Sequence, residues 1–323
     1  AADSDKMQAV TSYETRSRVP PGRPTRFAFP GAIVILAACM VLLALQAGCE
    51  ADSPRSMAET AAPTEQILRR GNGGDPGSLD PARAEDEHAF NVLADLYEGL
   101  VSIDAHGELT PGVASHWEIS EDGLVYTFHL DREARWSNGD QVVAEHVVVA
   151  LRRALAPATA SSYAFLMDAV RNAGRVAAGA LPVDALGIAA SDTHTLSITL
   201  SRPAPELLSV LSMPIAYPVW PGGNLDSSRF SEPDRFIGNG AYVLDSWRPA
   251  SLIRLRRNPD YRLAATVAID VVEYYPITDP QPELTRYRAG ELDITATVPS
   301  QAIESLRQDR GDELEIAPRL GVY

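Results

Sequence analysis

The chain has 323 residues, 45% of them hydrophobic, and a formal net charge of −15 at pH 7, which favours a folded protein of about two domains. So acidic a chain, without a basic patch carrying interleaved aromatic residues, repels phosphate backbones, which excludes nucleic acid as a partner. Its two cysteines, Cys39 and Cys49, lie near the N-terminus, so the rest of the sequence has neither a disulfide nor a thiolate metal site.

Residues 1–48 have the layout of a secretory signal. Arginines at positions 16, 18, 23 and 26 precede an apolar run of 14 residues at 32–45. That run is shorter than the roughly 20 residues needed to span a bilayer, although an uncleaved anchor formed by residues 27–47 is an alternative. The stretch LQAGC that ends at Cys49 resembles a bacterial lipobox. We therefore predict lipidation of Cys49, with Cys39 as the alternative.

Two segments near the start of the exported body are predicted to lack regular structure. Residues 49–65 are rich in Ala, Ser, Pro, Glu and Thr, which predicts a flexible tether. The segment GNGGDPG at 71–77 is similar to a glycine-rich phosphate loop, but Pro76 stands where that loop has its last glycine. We therefore expect a turn at 71–77.

Hydrophobic periodicity predicts strands and helices that are mixed along the body. Alternation at residues 124–130 puts Tyr126, Phe128 and Leu130 on one face of a half-buried strand. Further strands are predicted at 195–200, around Ile253 and Leu255, and at 267–275. Helices are predicted at 144–155, from Pro280 to Ala289, and after Ser300, which we expect to cap the last helix. This mixture predicts an α/β or α+β fold.

Common catalytic motifs are absent from the sequence. It has no G-x-S-x-G elbow, no H-E-x-x-H and no Walker lysine, because Lys6 is the only lysine. The six histidines have no metal-ligand spacing, so a metal site would have to be assembled by the fold, and we predict neither a metal nor a cofactor. The acidic triplet Glu85, Asp86 and Glu87 could hold an ammonium group or a metal ion, and a solvated loop is the alternative.

Several blocks of sequence from Arg70 onward occur in an order typical of one known family. The most recognisable is DGLVYTFHLDREARWSNGD at 122–140. The others are RGNGGDPGSLDPA at 70–82, DLYEGL at 95–100, PGVASHWEIS at 111–120, APATASSYA at 156–164, IGNGAYVLDSW at 237–247, RNPDY at 257–261 and RYRAGELDIT at 286–295. By these blocks the chain resembles the N-terminal part of the extracellular solute-binding proteins of family 5, the oligopeptide-binding proteins of ABC importers.

The resemblance implies an α/β fold of the periplasmic-binding-protein type II kind, a Venus flytrap whose two lobes close over an extended peptide. Residues 66–97 and 221–320 would form the hinge-proximal subdomain of lobe one, and residues 98–220 its smaller subdomain. Residues 321–323 would start the crossover to the second lobe, which we expect to be missing from this chain.

The resemblance also implies which residues of this chain contact the ligand. Glu85, Asp86 and Glu87 match the strand-like segment that pairs with the main chain of the peptide, and Tyr163 lines the cleft. Thr297 belongs to an Ala-Thr pair that stands where many oligopeptide binders have Tyr-Asn. One contact of the pocket is therefore expected to differ.

The implied function is capture of peptides outside the cytoplasmic membrane and delivery to the permease and ATPase of an ABC importer. We expect a monomer in the periplasm or cell envelope, held to the membrane by a lipid anchor, that is not an enzyme. The alternatives are a receptor for a dipeptide, a murein peptide, a nickel complex or another solute. A truncated fragment that is not competent to bind is a further alternative, because one lobe forfeits half of the contacts.

Overall fold

The computed structural model describes residues 10–15, 65–222, 225 and 227–319. The strands are β1 (Val10–Thr15), β2 (Ile67–Gly71), β3 (Val101–Ile103), β4 (Leu109–Pro111), β5 (Ala114–Ile119), β6 (Val125–Leu130), β7 (Ile188–Asp192), β8 (Thr195–Thr199), β9 (Tyr242–Arg248), β10 (Leu252–Arg257), β11 (Val271–Tyr275) and β12 (Leu314–Arg319). The α-helices are α1 (Glu87–Leu96), α2 (Ala144–Leu155), α3 (Ala173–Ala177), α4 (Leu207–Leu211), α5 (Pro280–Arg288) and α6 (Ile303–Arg310).

The first sheet is mixed, with the strand order β2-β11-β10-β9. Strands β2 and β11 are parallel, and Ile67 lies opposite Val271 while Gly71 lies opposite Tyr275. The other pairs are antiparallel. A parallel pair needs a long connection, and here residues 72–270 lie between its two strands and contain the second sheet.

The second sheet is antiparallel throughout, with the strand order β5-β6-β8-β7. Tyr126, Phe128 and Leu130 of β6 are buried, and Leu196 and Ile198 of β8 are buried on the same side. The alternation predicted at 124–130 and 195–200 is therefore confirmed. Helix α2 packs against β7 and β8, so the sheet has one apolar face and one polar face.

One hydrophobic core runs through both sheets. It contains Tyr274 and Ile253 of the first sheet together with Phe128 of the second, and Trp136 from the loop before α2 is fully buried in it. The boundaries predicted between residues 97 and 98 and between 220 and 221 fall between the two sheets. Because the core is continuous across them, the division into two subdomains stays a prediction.

Most of the predicted elements are present, with differences at their ends. Helix α2 has the predicted bounds, and α5 ends before Gly290, whose φ of +75° favours glycine. The strand predicted at 267–275 begins only at Val271, after the 3-10 turn Ala264–Thr266 and a bend at Asp270. The cap predicted at Ser300 is wrong, since a 3-10 turn from Ser300 to Ala302 precedes α6 and supplies no side-chain cap.

Several predictions concern residues outside the part of the chain that the structure describes. They are the export segment at 1–48 apart from residues 10–15, the tether up to residue 64, the lipidation of Cys49 and the crossover at 321–323. Among the described residues, no helix is both long enough and apolar enough to cross a membrane. Strand β1, which falls within the predicted export segment, pairs with β12 in an antiparallel ribbon.

A candidate ligand-binding edge

The candidate site lies at the carboxyl ends of the parallel strands β2 and β11. The chain leaves β2 at Gly71, and the amide of Asn72 donates to the carbonyl of Tyr275 over 2.8 Å. The amide of Gly71 donates to the carbonyl of Ile294 over 2.9 Å, which brings residues 294–297 to the same edge. In open α/β sheets, ligands bind outside the carboxyl ends of the strands. We call this part of the molecule the carboxyl edge.

Asp86 acts as the N-cap of helix α1. One carboxylate oxygen accepts from the amide of Ala89 over 2.7 Å, and the other accepts from the amide of Gly77 over 2.9 Å. An acidic cap is favourable here because it satisfies the free amides of the first turn and faces the positive end of the helix. Glu87 is the first helical residue, so the expected strand-like segment at 85–87 is wrong in its secondary structure.

Glu85 and Tyr163, two residues that were predicted to bind the ligand, are in contact. The hydroxyl of Tyr163 donates to the backbone carbonyl of Glu85 over 3.2 Å, and the hydroxyl of Ser162 donates to the Glu85 carboxylate over 2.5 Å. Glu85 is exposed. Among residues 65–222 and 227–319, no protein acceptor takes its backbone N–H. Both that amide and the carboxylate can therefore face a ligand.

Aromatic rings continue from this contact to the surface. The ring of Tyr163 lies 5.7 Å from that of Phe90 on α1 and 6.3 Å from that of Phe165, measured between centroids. Phe165 is 60% exposed, which is unusual for so large an apolar side chain. We call Phe90, Tyr163 and Phe165 the aromatic row. It offers flat apolar surface directly beside a carboxylate.

Thr297 lies in a loop held by a buried acid. The carboxylate of Glu283 accepts from the amide of Ala296 over 3.0 Å and from that of Thr297 over 3.5 Å. Glu283 is only 1% exposed, and any β-carbon at residue 71 would overlap its carboxylate, which explains Gly71. Thr297 itself is exposed at the carboxyl edge.

A histidine of α1 connects the two groups of predicted ligand residues. Nδ1 of His88 lies 2.5 Å from the carbonyl oxygen of Asn72. A carbonyl only accepts, so this nitrogen must carry the proton. Gly73 passes between His88 and Ala296, with room for little more than its hydrogen beside the imidazole. The carboxyl edge therefore runs from Tyr163 and Glu85 past His88 to Thr297.

Buried charges lie directly beneath this edge. Burial raises the pKa of Asp95, while a hydrogen bond from the Tyr274 hydroxyl and the charge of Arg70 act against that rise. Burial likewise raises the pKa of Glu283, opposed by its two amide donors and again by Arg70. The guanidinium of Arg70 lies over the ring of Tyr274, 5.1 Å from its centroid. Arg70 is thus the cation shared by two interior carboxyl groups.

Two ion pairs with little exposed side-chain surface join distant segments around this edge. Asp80, in the loop after β2, accepts from two guanidinium nitrogens of Arg153 on α2 over 2.8 and 2.5 Å. Glu98 accepts from two nitrogens of Arg262 over 2.8 Å each, and the Tyr261 hydroxyl donates to it over 2.9 Å. Bidentate pairs of this kind impose orientation as well as attraction.

Sequence reasoning found part of this site and missed its support. Glu85, Asp86, Glu87, Tyr163 and Thr297 all lie along the carboxyl edge, although their ligand-binding roles stay predictions. The sequence alone did not predict helix α1 or the roles of Glu283 and Arg70. The capping signal was present in the sequence, because Asp86 precedes a run whose Ala89, Val92, Leu93 and Leu96 are spaced for one helical face.

A family model described as bacterial extracellular solute-binding proteins, family 5 Middle, matches residues 108–323. The chain belongs to this family. The probable deoxycholate-binding periplasmic protein YgiS of Escherichia coli K12 is 39% identical over 267 residues, which cover 81% of this chain and 50% of that protein. The periplasmic oligopeptide-binding protein OppA of the same organism is 36% identical over 293 residues, which cover 89% of this chain and 54% of that protein.

Solved structures of such proteins have the same fold. The crystal structure of Haemophilus influenzae OppA in complex with RPPGFSPFR superposes with a TM-score of 0.72 at 32% identity, covering 76% of this chain and 49% of that one. The α/β fold of the type II periplasmic binding proteins is therefore confirmed. The chain spans about half the length of the curated relatives that it matches.

Proposed function

We propose that this chain captures extended peptides at its carboxyl edge for uptake by an ABC importer. The observation that carries the proposal is the contact between Glu85 and Tyr163. It brings together the aromatic row, the Glu85 carboxylate and the Glu85 backbone N–H, which has no acceptor among the described residues. Relatives named as oligopeptide-binding proteins support it, as does a solved neighbour in complex with a peptide.

The chemistry of this edge suits a peptide with a free amino terminus. Main-chain hydrogen bonds such as one to the Glu85 amide give affinity without selecting side chains, and the aromatic row can cover apolar side chains of any sequence. The carboxylate of Glu85 is available for an ammonium group, because a charge-assisted hydrogen bond is about twice as strong as a neutral one. Glu87, exposed one residue beyond the Asp86 cap, adds negative charge to this segment.

A second candidate ligand is a steroid carboxylate, because the relative at 39% identity is named as a probable deoxycholate-binding protein. The aromatic row could contact a steroid face. The carboxylate of such a ligand would, however, meet the acidic side chains of Glu85 and Glu87, and like charges at close range disfavour binding. We therefore place peptides first.

The compartment and the partners of the protein can be proposed as well. Relatives of this chain are named as periplasmic proteins, and we propose the same compartment, with a lipid on Cys49 and the permease and ATPase of an importer as partners. We further propose that the chain acts as a monomer and makes or breaks no covalent bond in its ligand. Closure of the binding protein over the peptide would be the working motion.

The experiment compares free and N-acetylated tripeptides to pentapeptides by titration calorimetry, using wild-type chain, Glu85→Gln and the control Glu121→Gln. Glu121 is an exposed acid in the turn between β5 and β6. We expect Glu85→Gln to weaken binding of free peptides by about tenfold, roughly one charge-assisted hydrogen bond, and to leave acetylated peptides unchanged. Equal affinities of all three proteins for free peptides would contradict the proposed role of Glu85.

A further inference from the structure

The polar face of the second sheet brings together side chains that are far apart in the sequence. His116 on β5 lies opposite His129 on β6 in the antiparallel register. Glu118 is two residues beyond His116 on the same strand, and successive side chains of a strand alternate between its faces. All three side chains therefore point away from the core, on the side opposite Phe128.

The two imidazoles and the carboxylate are close enough to share one ion. The rings of His116 and His129 are stacked, with centroids 4.5 Å apart and planes inclined by 14°. Nε2 of His129 lies 3.8 Å from Oε1 of Glu118. One ligand atom from each of the three residues falls within 4.8 Å of the others. Ligand atoms around a tetrahedral ion lie about 3.3 Å apart, since each bond is about 2.0 Å long, so modest side-chain rotations close the site.

A neighbouring serine sets the tautomer of His116. The hydroxyl of Ser115 donates to the backbone carbonyl of His129 over 2.9 Å, and its oxygen lies 3.1 Å from Nδ1 of His116. The only proton of the Ser115 hydroxyl is already donated to that carbonyl. A hydrogen bond between Ser115 and His116 therefore requires Nδ1 of His116 to carry the proton and Ser115 to accept it. Nε2 of His116 then carries the lone pair. A second hydrogen bond that fixes the free nitrogen is typical of metal-binding histidines.

A cavity of about 470 Å³ adjoins His116 and His129. His116, His129 and His194 line it together with Asp131 and Asp192. Nε2 of His129 and Nε2 of His194 are both buried and have no hydrogen-bond partner among the described residues. A buried ring nitrogen without a partner costs free energy unless something else satisfies it. The cavity is large enough for an ion and its water ligands.

We propose that His116, Glu118 and His129 form a binding site for a divalent transition-metal cation, with Zn²⁺ as the best match. Two neutral imidazoles and one carboxylate are a donor set that Zn²⁺ accepts readily, whereas Mg²⁺ and Ca²⁺ prefer oxygen donors alone. Water from the cavity completes the coordination, and His194 lines the open side. The site is on the second sheet, away from the carboxyl edge, and does not depend on the proposed peptide function.

The ion would join β5 to β6 across the polar face of the sheet. A ligand that binds the folded chain and not the unfolded one raises the midpoint of thermal unfolding. Zn²⁺ should therefore raise the melting temperature of the protein as well as bind to it. This gives a second readout that is independent of the heat of binding.

The test is a titration of the full chain with Zn²⁺ after removal of metals by a chelator. Cys39 and Cys49 are first alkylated, so that neither thiol competes for the ion. We expect one ion per chain. His116→Ala and His129→Ala should each weaken binding at least 100-fold, Glu118→Gln less, and Ser115→Ala by about tenfold as a partner of a ligand. The matched control is His106→Ala, an exposed histidine in the turn between β3 and β4.

Absorption spectra of the Co²⁺-loaded protein identify the ligands where a variant keeps its fold. Circular dichroism checks the fold of each variant, and Glu118→Gln serves if a histidine variant is unstable, because its side chain is exposed and nearly isosteric. No Zn²⁺ binding by the wild-type chain at millimolar metal would overturn the proposal. Affinity and Co²⁺ spectra that are unchanged in His116→Ala, His129→Ala and Glu118→Gln would overturn it as well.

Discussion

The two four-stranded sheets differ in where their polar side chains lie. In the mixed sheet β2-β11-β10-β9 and the elements packed on it, charged groups lie in the interior, where Arg70 serves both Asp95 and Glu283. In the antiparallel sheet β5-β6-β8-β7, the interior face is wholly apolar and the polar side chains are on the outer face, as with His129 against Phe128. The first sheet carries the candidate ligand-binding edge.

The difference shows how the edge is kept in one conformation. Interior charges are costly unless their partners are in place, so each one specifies where its partners must lie. Such partners hold the loops at the carboxyl edge. Glu283 accepts from the amides of Ala296 and Thr297, and the ion pair of Asp80 with Arg153 holds the loop after β2. The second sheet needs no such contacts, because its packing alone fixes its register.

The largest effect is expected when the shared cation of the first sheet is removed. Arg70→Met leaves two interior carboxyl groups without their positive neighbour, and breaking a buried charge pair costs about 3–5 kcal/mol. Both carboxyl groups feel the charge of Arg70, although no described ion pair joins it to either. We therefore expect a loss of about 3–4 kcal/mol at pH 7, measured by urea unfolding. Arg256→Met, at an exposed ion pair with Asp245, should cost less than about 1 kcal/mol.

The pH dependence of Arg70→Met tests the same point. Because burial raises the pKa of Asp95 and Glu283 above their ordinary values of 3.8 and 4.5, the folded chain binds more protons than the unfolded one just above those values, and stability falls there as pH rises. Arg70 lowers both pKa values, so its removal extends this fall to higher pH. The loss caused by the substitution should therefore be small near pH 4 and grow towards pH 7. A loss that is constant across this range would mean that Arg70 acts only through packing.

A smaller effect is expected at the junction of the two regions. Arg262→Met removes the bidentate partner of Glu98, and we expect a loss of about 3 kcal/mol in the free energy of unfolding. Glu98→Gln combined with Arg262→Met should recover part of that loss, because no unpaired charge is left in the interior. Thermal or urea unfolding of the single and double variants gives the coupling energy. Additive losses would show that the pair does not fix the junction.

The smallest effect is expected on the polar face of the second sheet. Ser197→Val changes a half-buried residue of β8 that lies opposite Thr127 and Ala189. Surface substitutions away from special features usually change stability by less than about 0.5 kcal/mol, and valine also favours strands. Urea unfolding should find a change within that range. A loss above about 2 kcal/mol would show that this face is packed against something.

The sequence allowed prediction of elements whose signal is local. Strand β6 and helix α2 follow from hydrophobic periodicity, and the end of α5 follows from the glycine at position 290. Each was found near its predicted place. The family could also be identified, because its blocks occur in order. The ligand-binding residues on the carboxyl edge were predicted from that resemblance and not from their chemistry.

Contacts between distant segments could not be predicted from one sequence. The pair of Asp80 with Arg153 joins residues 73 positions apart. His116 and His129 are 13 positions apart, and they meet only because β5 and β6 pair in a particular register with a bulge after Ala114. No spacing rule for a metal site covers that arrangement. Helix α1 was missed because its acidic start at 85–87 was assigned to a ligand-binding strand.

The most direct measurement is a calorimetric titration with a mixed pool of tripeptides to pentapeptides, and separately with deoxycholate. It is made on this chain and on any longer product that its gene encodes, because one lobe alone would forfeit half of the contacts in a two-lobed cleft. We predict that peptides bind, more tightly to the longer product where there is one, and that deoxycholate binds weakly or not at all. Micromolar binding of deoxycholate, with no heat from peptides in either protein, would contradict the proposed function.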